Sequence, residues 1–154
     1  MILGIDPGAS GALAFFDIAK GVLDVHNMPV VEVKRGGKGK REVSPQMLKA
    51  IIGARQVDSA FLEKVGAMPG QGVSSMFQFG RSVGMVEGVL AALDIPTSYV
   101  TPQVWQKSVS ARGGKDASRA RAAELYPAYA ANFQLKKDNG KADAALIAWF
   151  GAQQ

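Results

Sequence analysis

Cysteine is absent from this chain, and histidine occurs once, at His26. Without cysteine there is neither a disulfide framework nor a thiolate metal site. The lone His26 leaves histidine-built zinc centres and Ser-His-Asp catalysis out of the reading. No apolar run reaches the roughly 18 residues that a bilayer span needs, so no membrane partner is expected. The first residues show no basic region followed by an apolar core, so no signal peptide is expected. Acidic residues are also short, at 13 Asp and Glu against 18 Lys and Arg, which leaves a net charge of +5.

The 154 residues, 47% of them hydrophobic, suit one domain over 1–154 with a sizeable core. The sequence pI is near 9.6, and a basic surface favours a polyanion such as nucleic acid. The cations are clustered. Lys34, Arg35, Lys38, Lys40 and Arg41 fall in the Gly-rich stretch KRGGKGKR; Arg112, Lys115, Arg119 and Arg121 fall in ARGGKDASRAR; Lys136, Lys137 and Lys141 form a third group. Any one cluster suits a solvated loop or helix face. Three in a chain this short point to phosphate contact.

Three strands are expected first, at 1–6, 11–17 and 21–28, joined by the turn sequences PGASG and AKG into an antiparallel meander. Residues 29–43 read as a flexible basic loop. Ser44 and Pro45 then provide an N-cap and a first helical position for SPQMLKAIIGAR. DSAFLE (58–63) reads as a short strand, and the Gly/Pro-rich stretch 64–73 as a loop. From Ser74 to Leu93, Met76, Phe79, Val83, Val86, Leu90 and Leu93 form one stripe of a long helix. Gly80, Gly84 and Gly88 recur every four residues along it, and each costs a helix about 1 kcal/mol relative to alanine. Such a ridge implies close approach of another backbone, either this chain's own sheet or a second subunit. TSYV (97–100) is a strand, TPQVWQKSVS a helix begun by Thr101 and Pro102, KDASRARAAELY a helix stopped by Pro127, and KADAALIAWFGAQQ an apolar terminal helix. The order βββαβαβ followed by helices indicates an α/β fold, a mixed sheet with helices on its faces.

Three carboxylates occupy positions where a purely structural protein places apolar side chains. Asp6 ends the first strand, Glu63 ends the fourth, and Asp143 opens the otherwise apolar terminal helix, with Asp138 just upstream. Each has an ordinary use: a turn cap for Asp6, an ion pair for Glu63, a helix-terminus charge for Asp143. Together they suggest a cluster. Two carboxylates about 5 Å apart repel by roughly 3 kcal/mol at an effective dielectric of 20, so a proton or a hard cation is needed. Oxygen-only ligands select Mg²⁺ or Mn²⁺ over Zn²⁺. Two such ions about 4 Å apart would suit in-line phosphodiester displacement.

GIDPGASGALAFFD, a strand ending in FLEKV and a terminal KADAALIA helix together resemble the RuvC-type Holliday junction resolvases, and more narrowly their shorter bacteriophage versions. The resemblance covers residues 1 to about 150. It implies an RNase H-like fold, with a mixed five-stranded sheet carrying helices on both faces. It further implies a homodimer whose subunits each nick one strand of a four-way DNA junction with Mg²⁺ or Mn²⁺, two ions per subunit and no small-molecule cofactor. The expected compartment is the cytoplasm, the host's if the chain is phage-encoded. Asp6, Glu63 and Asp143 match the family's metal-binding positions. The family's fourth acid stands three residues before the last Asp, where this chain has Gly140. Asp138, five residues before Asp143, is the substitute only if DNG is not helical, because five helical residues turn through about 500°. The family also carries an aromatic residue shortly after the Glu to stack on opened bases; here Met68, Phe77 or Phe79 would serve. Lys107 and Lys115 lie near positions where the family has basic residues facing the scissile region. Two other readings stay open: an RNase H-like nuclease acting on flaps or RNA–DNA hybrids, and a junction-binding protein without activity.

Overall fold

Alternation of apolar residues drives the first three strands. In the computed structural model, which describes residues 1–35, 38–66 and 70–154 and only the backbone of Arg35 and Lys38, they are β1 (Ile2–Asp6), β2 (Ala12–Asp17) and β3 (Val22–Asn27). They form the expected antiparallel meander, with Gly4 opposite Ala14 and Ala14 opposite Val25.

The segment 29–43 is not the flexible loop its glycines suggested. It forms an antiparallel hairpin, β4 (Val30–Arg35) and β5 (Lys38–Val43). Valines at 30, 31, 33 and 43 favour the pleat, and Glu32 stands opposite Arg41, a cross-strand pair of opposite charge. A lone two-stranded hairpin is marginal in water, and this one is anchored at its base. Val43 is buried, Val30 packs beside it, and Ser44 N–H donates to the Pro29 carbonyl. The strands beyond the base run into solvent as a basic arm.

Helix α1 (Pro45–Gly53) starts as its sequence dictates, with Ser44 Oγ accepting from Met47 N–H at 3.3 Å. Strands β6 (Ser59–Glu63) and β7 (Thr97–Val100) are separated by helix α2 (Val73–Ala92). β6 pairs parallel with β1 and β7 parallel with β6, which completes a mixed sheet in the order β3-β2-β1-β6-β7. Helices α3 (Pro102–Ser108), α4 (Lys115–Leu125) and α5 (Asn139–Gly151) follow, with 3-10 turns at Pro127–Phe133 and Lys136–Asp138 before α5.

The sheet buries both faces. Leu3, Ile5, Leu13, Phe15 and Leu62 pack with α1 and α2. Ala12, Ala14, Phe16 and Phe61 pack with α3, α4 and α5 on the other side. The base of the hairpin rests on α2, where Gln78 and Arg81 both reach Glu42.

One of the two uses of the glycine ridge is overturned. Gly80, Gly84 and Gly88 are exposed, and a Cβ at any of them would meet nothing within 4 Å. The helix packs on its own sheet through Val86, Val89 and Leu90 instead. The close approach is made elsewhere, at β1: a Cβ on Gly4 would strike the Ala144 carbonyl and the Ala148 backbone of α5.

The two glycine environments should separate cleanly in urea titrations. Gly4→Ala forces backbone apart, so it should lower the unfolding free energy by about 3 kcal/mol or prevent folding. Gly84→Ala enters open space in a helix and should leave stability unchanged or raise it by up to about 1 kcal/mol.

Candidate metal centre and nucleic-acid interface

Strand parity explains why two acids meet the last helix. β1 and β6 are parallel neighbours with Ile5 level with Leu62, so Asp6 and Glu63 leave the sheet at one edge. Each is two residues on from a position that faces α5, Gly4 and Phe61 respectively, and side chains two apart share a face. Both therefore point to the face that carries Asp143.

Beyond Asp6 the chain turns through Gly8, at φ +106°, and Gly11 N–H donates to the Gly8 carbonyl at 3.0 Å. The backbone of α5 lies against this turn. A Cβ on Gly140 would come within 2.7 Å of the Ser10 carbonyl and 3.0 Å of Asp6 Oδ2.

All three acids are raised, and carboxylate repulsion acts on two of them. Burial pushes the Asp6 carboxyl well above the usual carboxylate range; repulsion from Glu63 and Asp143 adds to this, and Lys115 opposes it. Burial also raises Glu63, reinforced by Asp143 and opposed by a hydrogen bond from Trp105. Asp143 is raised by burial against a hydrogen bond from Ser118 and the charge of Lys115. A folded-state pKa above the unfolded value means that the folded protein binds protons more tightly. Stability is therefore gained as pH falls through these raised values, and the full charge cost is carried above them.

Asp143 Oδ1 is buried and has no hydrogen-bond partner among the described residues. A buried acceptor in that condition costs roughly 1–3 kcal/mol. The donor set, all carboxylate oxygen, suits a hard divalent cation. Among the described residues no three acidic or histidine side chains form a ready-made coordination cage.

Asp138 is differently engaged. The condition set on DNG is not met, since Asp138 ends a 3-10 turn and Asn139 and Gly140 already belong to α5. Its Oδ2 accepts from Leu135 N–H at 2.9 Å and its Oδ1 from Lys141 Nζ at 3.2 Å. Burial pushes this carboxyl up, but Leu135, Lys141 and Lys137 together hold it below the usual range. It lines the same cavity as Asp6 and Asp143, yet its charge is already balanced.

That cavity, about 930 Å³, is lined by Asp6 and Asp143 together with Arg41, Lys115, Lys136, Lys137 and Lys141. Glu63 opens into a neighbouring cavity of about 890 Å³, and Phe79 lines both. Of the two described side chains among the three candidates for base stacking, Phe79 is the one in the cleft. Phe77 is 68% exposed and lines neither cavity, and Met68 lies outside the described residues.

The other basic residues divide. Arg41 reaches from the hairpin to Ser10 Oγ at 2.9 Å, beside the turn that follows Asp6. Lys34 and Lys40 are exposed on the arm, while the side chains of Arg35 and Lys38 lie outside what is described. Lys107 and Arg112 are exposed and line neither cavity. Arg119 is bonded to Asp116 and Asn139, joining α4 to the start of α5. Sequence reasoning passed over Trp105 and Ser118, which hold Glu63 and Asp143. Ser118 lies four residues into the helix of a basic cluster; Trp105 gave no signal beyond its bulk.

No family model matches the chain. Over 146 residues it is 28% identical to the chloroplastic Holliday junction resolvase MOC1 of Chlamydomonas reinhardtii, covering 80% of this chain. The chain spans 17% of the length of that curated relative. Among solved structures, RuvC of Thermus thermophilus superposes with a TM-score of 0.62 at 13% identity, over 99% of this chain and 95% of that one. The T. thermophilus RuvC in complex with Holliday junction substrate gives 0.63 at 10% identity, over 99% and 94%. The fowlpox virus Holliday junction resolvase gives 0.53 at 11% identity, over 99% and 97%. The chain has the fold of the RuvC resolvases, and its sequence is similar to that of a Holliday junction resolvase.

Proposed function

We propose that this chain is a metal-dependent endodeoxyribonuclease that resolves four-way DNA junctions as a homodimer. The observation that carries the reading is the part-buried carboxylate trio Asp6, Glu63 and Asp143, with an orphaned Asp143 oxygen; Asp6 and Asp143 line a cleft shared with lysine and arginine, and Glu63 lines the cavity beside it.

Asp6, Glu63 and Asp143 are the residues that would hold Mg²⁺ or Mn²⁺. When bound, two such ions supply charge stabilisation to the attacking and leaving oxygens of a phosphodiester. The chain's own groups do the rest. Lys115 sets a positive charge beside Asp6 and Asp143, where it can meet a non-bridging phosphate oxygen. Arg41, Lys136 and Lys137 stand at the cleft edge to hold the flanking backbone, a contact that positions DNA without reading its sequence. Phe79 offers a ring face to an unpaired base beside the acids. Asp138 keeps Lys141 in place, a supporting role consistent with its two occupied oxygens.

The homodimer reading draws support from α2. Gly80, Gly84 and Gly88 form an open, side-chain-free track on its outer face, continued towards the N-terminus by exposed Phe77 and Val73. Such a track lets a second helix approach closely. It also suits the chemistry, since paired nicks need two active sites on one junction.

A panel of labelled four-way, three-way, flap and RNA–DNA hybrid substrates tests the activity. With Mg²⁺ or Mn²⁺ the four-way junction should be cut fastest. Asp6→Asn should abolish cutting, keep junction binding, and raise the thermal midpoint in EDTA because a repelling buried charge is gone. Preference for flaps or hybrids, or loss of binding in step with cutting in a folded Asp6→Asn protein, would overturn the assignment.

For the dimer, Gly84→Leu should fold normally and sediment as a monomer at micromolar concentration, with symmetric double nicking abolished. A variant that remains dimeric and still makes paired nicks would remove the ridge from the interface. For the arm, replacing Lys34, Lys40 and Arg41 with alanine should lower the salt slope of junction binding by about 0.9 for every phosphate no longer neutralised. Affinity should fall equally for junctions of different core sequence.

A further inference from the structure

Trp105 is the largest side chain in the core with no exposed surface, and its one polar atom is aimed at an active-site acid. Its indole Nε1–H donates to Glu63 Oε1 at 2.9 Å. An indole N–H usually finds an acceptor when buried, and a backbone carbonyl would satisfy it at little cost. Here the acceptor is a carboxylate 42 residues away in sequence.

The contact is rigid at both ends. Glu63 is the last residue of β6 and pairs with Val100 of β7. The chain then passes from Val100 through Thr101 into α3, whose first turns are closed by Trp105 N–H to the Thr101 carbonyl at 3.2 Å and Val109 N–H to the Trp105 carbonyl at 3.0 Å. The indole is packed among α5 and sheet residues of the same core. The donor is therefore fixed by the strand pairing that also fixes Glu63. It occupies one oxygen of Glu63 and leaves the other outside that hydrogen bond.

We propose that Trp105 is a positioning residue for the metal centre: its N–H locks the Glu63 carboxylate in the rotamer that presents a single oxygen to a divalent cation. This rests on the assignment of Glu63 as a cation ligand. Hydrogen bonds from outer residues to ligands of this kind change metal affinity or activity by about 10–100-fold when removed.

The test reads cation binding to the full chain without DNA. Mn²⁺ titrations by calorimetry should show Trp105→Phe, which keeps an aromatic ring and removes the N–H, binding about tenfold more weakly than wild type. The same change in a Glu63→Gln background should add no further loss, because the indole acts through that carboxylate. On four-way junctions with Mn²⁺, Trp105→Phe should lower the maximal nicking rate and leave the half-saturating junction concentration unchanged. Should Trp105→Phe fail to fold, incorporation of benzothienylalanine at position 105 replaces the N–H by sulfur in a ring of the same shape, with the same tenfold expectation. A folded variant with wild-type Mn²⁺ affinity, or an equal loss with and without Glu63, overturns the inference while leaving the acids as ligands. Wild-type protein that binds no Mn²⁺ overturns both.

Discussion

Everything at the candidate site follows from how closely α5 lies on β1. Gly4 leaves no room between the strand and the backbone of Ala144 and Ala148. One stripe of the helix is small throughout, with Gly140, Ala144, Ala148 and Gly151 spaced by four, four and three residues, so main chain meets sheet with no side chain between them. At the other end of the contact, Gly151 faces the ring of Phe61. Asp143 is one residue before a member of that stripe, and the same approach that buries the alanines brings its carboxylate towards Asp6.

That arrangement concentrates like charge where water is scarce. Three carboxyls are pushed up by burial, Asp6 and Glu63 also by neighbouring carboxylates, with Lys115, Ser118 and Trp105 as partial counterweights. A protein selected only for stability would place apolar side chains at the ends of β1 and β6. The cations lining the cleft have the opposite sign from its acids, which attracts a polyanion to a pocket whose acids repel one. On the proposed reading, a bound divalent cation would reconcile the two by offsetting the charge of the acids towards a phosphate.

The parts of this design that depend on local pattern were legible in the sequence. The meander follows from turn residues between β-prone runs, α1 from Ser44 and Pro45, and the acid trio from charge at strand ends and in an apolar helix. What escaped depends on contacts made elsewhere. Glycines in KRGGKGKR masked the valine alternation that makes 29–43 a hairpin, and its base is held by Gln78 and Arg81 from a helix more than thirty residues on. The periodicity of the Gly80, Gly84 and Gly88 ridge was plain, but only packing decides which side of α2 faces the sheet. Glu63 and Trp105 meet across two strands, a tertiary fact with no sequence spacing to announce it. Asp138 is the instructive exception. Its partners, Leu135 and Lys141, are three residues away on either side, so its capping role was within reach of local reasoning.

Gly140 bears on which mutational routes are open to this scaffold. In the cellular resolvases that the sequence resembles, an acid stands at this position. Here the space a side chain would enter is already taken by the Ser10 carbonyl and by Asp6 itself. A fourth carboxylate therefore cannot be grafted at 140 by one codon change; the loop after β1 would have to retreat at the same time. On the proposed reading the site thus works with three acids, because the Ser10 carbonyl lies where a fourth side chain would enter.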